Sequence, residues 1–305
     1  MWQIIPWPVL RDDVRYLETL PIGTVWLGDT YATRQSDSVL EAWTTLAALA
    51  AQTTRVRLGT LISNVALRHP AMLAKQAATV DCISAGRLDL GVGPGEHFPE
   101  EAAWLGLPPV TSGARVDRLG EAVAVIDGLL RNQRLSYHGA YYHLDDAPLV
   151  PAPVQRPRPP LIVAAEGKRA LQVAARYADV WVTIPAGRGT REEGVRSVRD
   201  RARLLDEYCI AIGRDPATIE RACVAGWGGP ETPFASAETL RDFVGRYREA
   251  GVRRFVFCFG SAATPAPYQA WIAASAWVSR EALDAFAAQV FTDLSSPSSI
   301  GSAPQ

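Results

Sequence analysis

The sequence predicts an α/β protein, a (β/α)8 TIM barrel formed by one domain, and three observations predict it. Short β-branched runs alternate with longer amphipathic stretches, the pattern of consecutive βα units around a parallel sheet, and eight such units can be counted. The runs lack a clean polar alternation, as expected when both faces of a sheet are buried. A length of 305 residues suits a closed α/β barrel, which takes roughly 250 residues plus insertions. A doubly wound open sheet is the competing architecture, but eight repeats without a domain break favour closure.

In chain order the expected strands are Trp2–Ile5, Thr24–Leu27, Val56–Ile62, Arg87–Val92, Leu161–Ala165, Val180–Ile184, Ile219–Ala225 and Arg254–Phe259. Helical periodicity falls at Arg11–Thr19, Asp37–Gln52, Pro70–Ile83, Arg115–Leu130, Lys168–Arg176, Arg191–Ile212, Ala237–Ala250 and Trp271–Val290. Asp37 is placed to cap its helix, Pro70 suits a first helical turn, and Ser84–Arg87 ends one helix and launches the next strand. Between the fourth helix and the fifth strand an insertion at about residues 132–160 holds a small hairpin, Ser136–Leu144, and a proline-rich crossing, Pro148–Pro160. It is expected to act as a lid or a subunit contact. The barrel domain is placed at residues 1–291, and residues 292–305, rich in Ser, Gly and Pro, are too polar to pack and are expected to form a disordered tail.

Composition narrows the function. Hydrophobic residues at 48% against 21% charged describe a chain with enough apolar surface to fold. The formal net charge is −1 and the basic residues form no block, which argues against a nucleic-acid partner. No segment reaches the roughly 18 uninterrupted apolar residues of a spanning helix, and residues 1–10 lack a basic and then apolar leader, so no membrane or export role is expected. Cys82, Cys209, Cys223 and Cys258 are far apart with no C-x-x-C, which fits buried reduced thiols and a cytoplasmic setting. Four histidines without H-x-x-x-H or H-E-x-x-H spacing argue against a metal site. The absence of G-x-S-x-G argues against a serine hydrolase of that type.

In such barrels the chemistry lies at the carboxyl ends of the strands. The run Leu90–Glu96, LGVGPGE, leaves a strand with glycines at alternate positions, which lets backbone N–H groups approach an anion or a flat ring. A tight turn explains it equally well, and Glu96 is then either a solvated loop acid or a group facing a ligand. The spacing is not that of a dinucleotide fingerprint. Ala165–Arg169 runs straight into a helix, so free N–H groups, the helix dipole and two cations converge where a phosphate could sit; the alternative is a basic helix start in solvent. Asp29 is either a buried acceptor for a ligand's N–H or hydroxyl or a loop cap.

These same segments resemble the bacterial luciferase-like superfamily of flavin- and deazaflavin-dependent oxidoreductases. The resemblance covers nearly the whole chain and is most specific in Val25–Asp29 (VWLGD), Leu46–Thr53, Val56–Thr60, Arg68–Ala71, Thr79–Arg87 and Leu90–Glu96. It implies a barrel whose mouth binds reduced FMN or coenzyme F420, with no metal, and acts on a small organic substrate by hydride transfer or monooxygenation. It also implies a bulge after the third expected strand, within Thr60–Ser63, with a non-proline cis peptide at Leu61–Ile62. Carried over position by position, Asp29, Ile62, Ser63, Gly95 and Glu96 fall on the ring side and Gly167, Lys168 and Arg169 on the phosphate side, with Leu61, Gly93 and Ala165 as further cofactor-binding candidates.

Two departures stand out. Members often have His directly after the Asp, where this chain has Thr30, and a glycine pair ends the fifth strand where this chain has Ala164–Ala165. Thr30, Glu96 and His97 are the candidates for proton transfer. The FMN alternative calls for a separate flavin or F420 reductase as partner, and a homodimer is the family expectation. A non-catalytic flavin- or F420-binding barrel is the rival, to which both departures lend support.

Overall fold

The computed structural model describes residues 3–32, 38–95, 99–108, 110–185, 189–225, 231–261, 263–274 and 276–287. The first half of the chain runs α1 (Trp7–Thr19), β1 (Thr24–Leu27), α2 (Ala42–Ala50), β2 (Arg57–Asn64), α3 (Pro70–Ile83), β3 (Leu88–Gly93), α4 (Pro99–Trp104) and α5 (Ser112–Asn132). A hairpin of β4 (Arg134–His138) and β5 (His143–Pro148) follows. The remainder runs β6 (Leu161–Ala164), α6 (Lys168–Tyr177), β7 (Val180–Thr183), α7 (Arg191–Ala211), β8 (Glu220–Ala225), α8 (Ala237–Glu249), β9 (Arg254–Phe257), α9 (Ala266–Ala273) and α10 (Arg280–Ala287).

Among the described residues, seven strands form one parallel sheet in the order β1-β2-β3-β6-β7-β8-β9. The expected count of eight is therefore corrected. Residues 3–5 of the expected first strand are not extended into the sheet, and a helix starts at Trp7, with Pro6 as its N-cap and a proline in its first turn. Proline fixes φ near the helical value and has no N–H to give a ladder, so this proline pair favours a helix start over a strand. The C-terminal stretch expected as one helix, Trp271–Val290, divides into α9 and α10. Between them Val278 pairs in parallel with Phe259 and Trp277 is buried. The expected cap Asp37 and the expected tail 292–305 lie outside the described residues; α2 is capped by Glu41, which accepts from the amides of Trp43 and Thr44. No helix among the described residues is long and apolar enough to cross a membrane.

Leu88, Leu90 and Val92 alternate with Asp89, Gly91 and Gly93 along β3, and the leucines and valine belong to the fully buried layer beneath the helices. The other parity faces the inside of the curl. At the amino ends of the strands this interior is ionic. Asp89, 1% exposed, accepts from Thr24 Oγ1 at 3.1 Å and from Arg57 Nε at 2.8 Å, with Arg254 Nη1 3.6 Å away. Arg254 also pairs with Glu220 at 2.6 Å. The last strand is thus tied through the interior to the third. Above this layer lie Trp26, Ile162, Val180, Val182 and Ala222, an apolar plug. A Cβ on Gly59 would stand 2.4 Å from the Trp26 ring, so the indole fills the space that this glycine leaves.

The expected hairpin forms, but neither it nor the crossing covers the mouth of the curled sheet: no residue of 132–160 lines the cavity described below. Gln155 explains why. Its amide and that of Val154 donate to the Asp81 carboxylate, and its side chain bridges Leu88 O at 2.8 Å and Arg57 Nη2 at 3.0 Å. The crossing is pinned under the amino ends of β2 and β3, so the expected lid role gives way to a floor.

Asp89→Ala leaves two guanidinium groups facing the interior without their shared acceptor. Removing one partner of a buried ion pair costs about 3–5 kcal/mol, and urea unfolding should register a loss of about that size; wild-type stability would show that the floor carries no load.

Candidate functional site

A cavity of about 1220 Å³ opens at the carboxyl ends of the strands. That exceeds the roughly 300–1,000 Å³ of a pocket for one small ligand, so there is room for two molecules. The glycine-rich exit of β3 and the start of α6 share this mouth: Pro94 and Gly95 line it together with Gly167, Lys168 and Arg169.

The wall on the β2 side departs from regular strand geometry. The β2–β3 register shifts between Thr60 and Ser63, and the Leu61–Ile62 peptide is cis, as the resemblance implied. Successive side chains of a regular strand point to opposite faces, yet Leu61 and Ile62 both line the cavity. Ser63 consequently turns away from it and is fully buried. Trp43 Nε1 donates to Ser63 Oγ at 3.1 Å, Ser63 to Thr60 Oγ1 at 2.9 Å, and Thr60 to the Gly91 carbonyl at 2.8 Å. Gly93 does not line the cavity either: Ile62 covers its inward face, and a Cβ there would lie 1.9 Å from Ile62 Cδ1. Ser63 was expected on the ring side and Gly93 as a cofactor contact, and neither reaches the cavity.

Asp29 does reach the wall, 3% exposed. Arg68 grips both of its oxygens and the Asn64 amide donates to Oδ2 at 3.1 Å. The guanidinium extends to Glu41 at 3.3 Å. Desolvation works against the charge on Arg68, but the hydrogen bonds and charge of Asp29 outweigh it and raise the Arg68 pKa above its ordinary value. Asp29 therefore locks the loop after β1 to the end of β2. The Asn64 side chain lies against Gly95, whose φ of +82° and missing Cβ allow the approach; a Cβ would be 2.3 Å from Asn64 Oδ1.

One end of the cavity is cationic. Gly167 caps α6 without a side-chain hydrogen bond, which leaves the first-turn amides and the helix dipole facing the opening. A Cβ on Gly167 would meet nothing within 4 Å. Lys168 and Arg169 follow directly, and Arg169 pairs with Asp117 while lying against Gly113 at the start of α5. Arg115 donates to the Gly95 carbonyl and to Ser112 Oγ, each at 3.1 Å. Among the described residues, the cations lining the cavity are these three, Arg115, Lys168 and Arg169. Ala165 lines the same stretch, nearly fully buried, with its carbonyl taken by Trp181 Nε1 at 2.8 Å.

Beyond the loop after β1 the wall differs. Thr30, Val39, Glu101 and Trp104 contribute there. Glu101 is 5% exposed, and its Oε1 accepts from Thr30 Oγ1 at 2.9 Å and from the Tyr31 amide at 2.6 Å. Cys258 also faces the cavity, and burial pushes its thiol up to about 11, so it is a neutral thiol at physiological pH. No group of three or more His, Cys, Asp or Glu among the described residues could hold a metal ion.

Of the residues expected at the site, Asp29, Thr30, Leu61, Ile62, Gly95, Ala165, Gly167, Lys168 and Arg169 line one cavity. Glu96 and His97 lie outside the described residues. Sequence reasoning named Asn64 only among the residues that follow the strands, and it missed Glu101, Arg115 and the Ser112–Gly113 start of α5. The Thr111-Ser112-Gly113 run, a capping residue ahead of a long helix, was a usable signal for the last of these. Nothing in the pattern marks Glu101, whose partners are 70 and 71 residues away.

Ser63→Ala would remove the acceptor of the Trp43 indole N–H. A buried donor left unsatisfied costs about 1–3 kcal/mol, which denaturant unfolding should detect; an unchanged midpoint would mean that the Trp43–Ser63–Thr60 chain does not brace the wall.

A family model described as luciferase-like monooxygenase matches residues 5–227. An F420-dependent glucose-6-phosphate dehydrogenase of Kineococcus radiotolerans is 34% identical over 236 residues, covering 76% of this chain and 67% of that protein. An F420-dependent hydroxymycolic acid dehydrogenase of Mycobacterium tuberculosis is 32% identical over 206 residues; the match covers 66% of this chain but only 53% of that protein, so the chain spans about half the length of this relative. Among solved structures, the coenzyme F420 dependent tetrahydromethanopterin reductase from Methanopyrus kandleri superimposes with a TM-score of 0.74 at 17% identity, covering 96% of this chain and 97% of that one.

Proposed function

The chain belongs to the luciferase-like monooxygenase family, and from that premise we propose that it is an oxidoreductase that binds coenzyme F420 and exchanges hydride with a small organic substrate. The polarity of the cavity carries this reading. Uncapped helix amides and the cations Lys168 and Arg169 gather at one end, and an apolar slot backed by Leu61 and Ile62 lies next to them. An anionic arm attached to a flat, largely apolar ring has that same division of character. The F420 dependence named for two relatives above 30% identity supports the deazaflavin over FMN.

The residues present fit such a group. Gly167 leaves open the volume that a Cβ would occupy, and the first-turn amides of α6 lack a side-chain cap. Gly167, Lys168 and Arg169 would take the anionic arm, Leu61 and Ile62 would back the ring, and Asn64 and Gly95 would border it. A bound deazaflavin supplies two-electron hydride chemistry. The chain's own contribution is orientation and the exclusion of water. The apolar plug below closes the cavity floor, and the Asp29–Arg68 pair fixes the rim.

Fluorescence titration with coenzyme F420 and with FMN tests the assignment. Saturable binding of F420, at least about tenfold tighter than FMN, is expected, and Lys168→Ala should weaken it roughly tenfold, or about 1.4 kcal/mol. Tighter binding of FMN would favour flavin-dependent oxygenation supplied by a separate reductase. Failure of both below roughly millimolar concentration would end the redox assignment, and binding without turnover across a broad substrate panel would favour a non-catalytic barrel.

A further inference from the structure

We infer that Glu101 takes and returns the proton of an alcohol or carbonyl substrate, with Thr30 as its positioning residue; the inference rests on the cavity taking a deazaflavin. Four carboxylates line the cavity, Asp29, Glu100, Glu101 and Glu166, and the partners of Asp29 and Glu101 differ in kind. Asp29 is held by a guanidinium fork, which cannot give up a proton and so fixes the pair in one state. The described donors to Glu101 are a hydroxyl and an amide, both uncharged.

The hydroxyl is the informative partner. Thr30 Oγ1 stands 2.9 Å from Glu101 Oε1 and 3.1 Å from the Ala32 carbonyl, two acceptors for one proton. With Glu101 ionised, Thr30 donates to it. With a proton on Oε1, Glu101 donates to Thr30 Oγ1, and the hydroxyl proton turns to Ala32 O. Both states are hydrogen-bonded without movement of any heavy atom, which a buried carboxylate needs if it is to change protonation inside a fold. Glu101 is buried yet lines the cavity.

For an alcohol substrate, the O–H bond breaks and its proton passes to Glu101. The hydride on the same carbon passes to the oxidised deazaflavin, and the C=O bond forms. The substrate loses two electrons and the deazaflavin gains them; the reverse reaction returns the same proton.

A purely structural role, tying α4 to the loop after β1, is separable. E101Q keeps an oxygen for Thr30 and Tyr31 but cannot take the proton. With the whole 305-residue chain, coenzyme F420 and three probes, 2-propanol, cyclohexanol and glucose 6-phosphate, E101Q should bind F420 as wild type does and melt at the same temperature. Its turnover should fall by about 100-fold or more, the usual worth of a positioned acid or base. Added acetate should restore part of the rate lost in E101A, and T30S should retain the rate that T30V loses. A wild-type rate in E101Q, or a loss explained by weaker F420 binding or lower melting temperature, overturns the inference. Wild type that binds F420 but oxidises none of the three alcohols also overturns it, while leaving cofactor binding intact. Absence of F420 binding instead sinks the functional reading, and a cofactor-free measurement then decides. The infrared difference between ligand-free wild type and E101Q isolates the Glu101 bands, and loss of the hydroxyl donor in T30V should shift them; bands unmoved in T30V overturn the hydrogen bond on which the inference rests.

Discussion

Two neighbouring side chains on one strand cannot both face the same way in a regular ladder, and the cavity depends on β2 breaking that rule. The register shift between Thr60 and Ser63 brings Leu61 and Ile62 together onto one wall. Everything behind the wall accommodates the break. Gly91 and Gly93 on β3 give up their side chains, since a Cβ at Gly91 would lie 2.0 Å from the Thr60 carbonyl. The Thr60 hydroxyl donates to the Gly91 carbonyl beside the irregularity, and Ser63 in turn donates to Thr60.

Above that wall the cavity is graded in charge. Its cationic end is made by two helix starts, α5 and α6, brought side by side, and Arg169 lies across the gap between them. The opposite rim is built from the loop after β1, held by Arg68 on one side and by Glu101 on the other. The cationic end and the rim at Glu101 are thus built from different elements. The division follows from the parallel sheet itself, in which every strand delivers its following loop to the same rim.

Most of the scaffold was legible in the sequence because it follows from local pattern. The bounds of α3, Pro70–Ile83, agree with periodicity and a proline in the first turn. Strands buried on both faces announce themselves as short β-branched runs. The expectation at Trp2–Ile5 failed because the same cue was too short to outweigh the prolines beside it. At the site, glycine spacing signalled closeness but not to what: Gly95 opens the wall to Asn64, whereas Gly93 makes room for Ile62. The side on which Ser63 falls could not be read, because one irregular residue inverts the alternation after it. That Gly167, Lys168 and Arg169 reach the cavity was legible, since a glycine followed by two cations opens a helix after a strand. The placement of Glu101 was not, because its contacts exist only where two distant loops meet.

The ionic floor has a further consequence for how the molecule is made. Asp89 gathers groups from positions 24, 57 and 254, so its set of partners spans most of the chain. On a ribosome, Thr24 and Arg57 are available to Asp89 long before Arg254 has been synthesised. A nascent chain that has emerged only through β8 holds Glu220 without its guanidinium partner and leaves one edge of the curl untied. Completion of the interior therefore waits on the last quarter of translation, and until then the chain depends on whatever shields its unfinished edge.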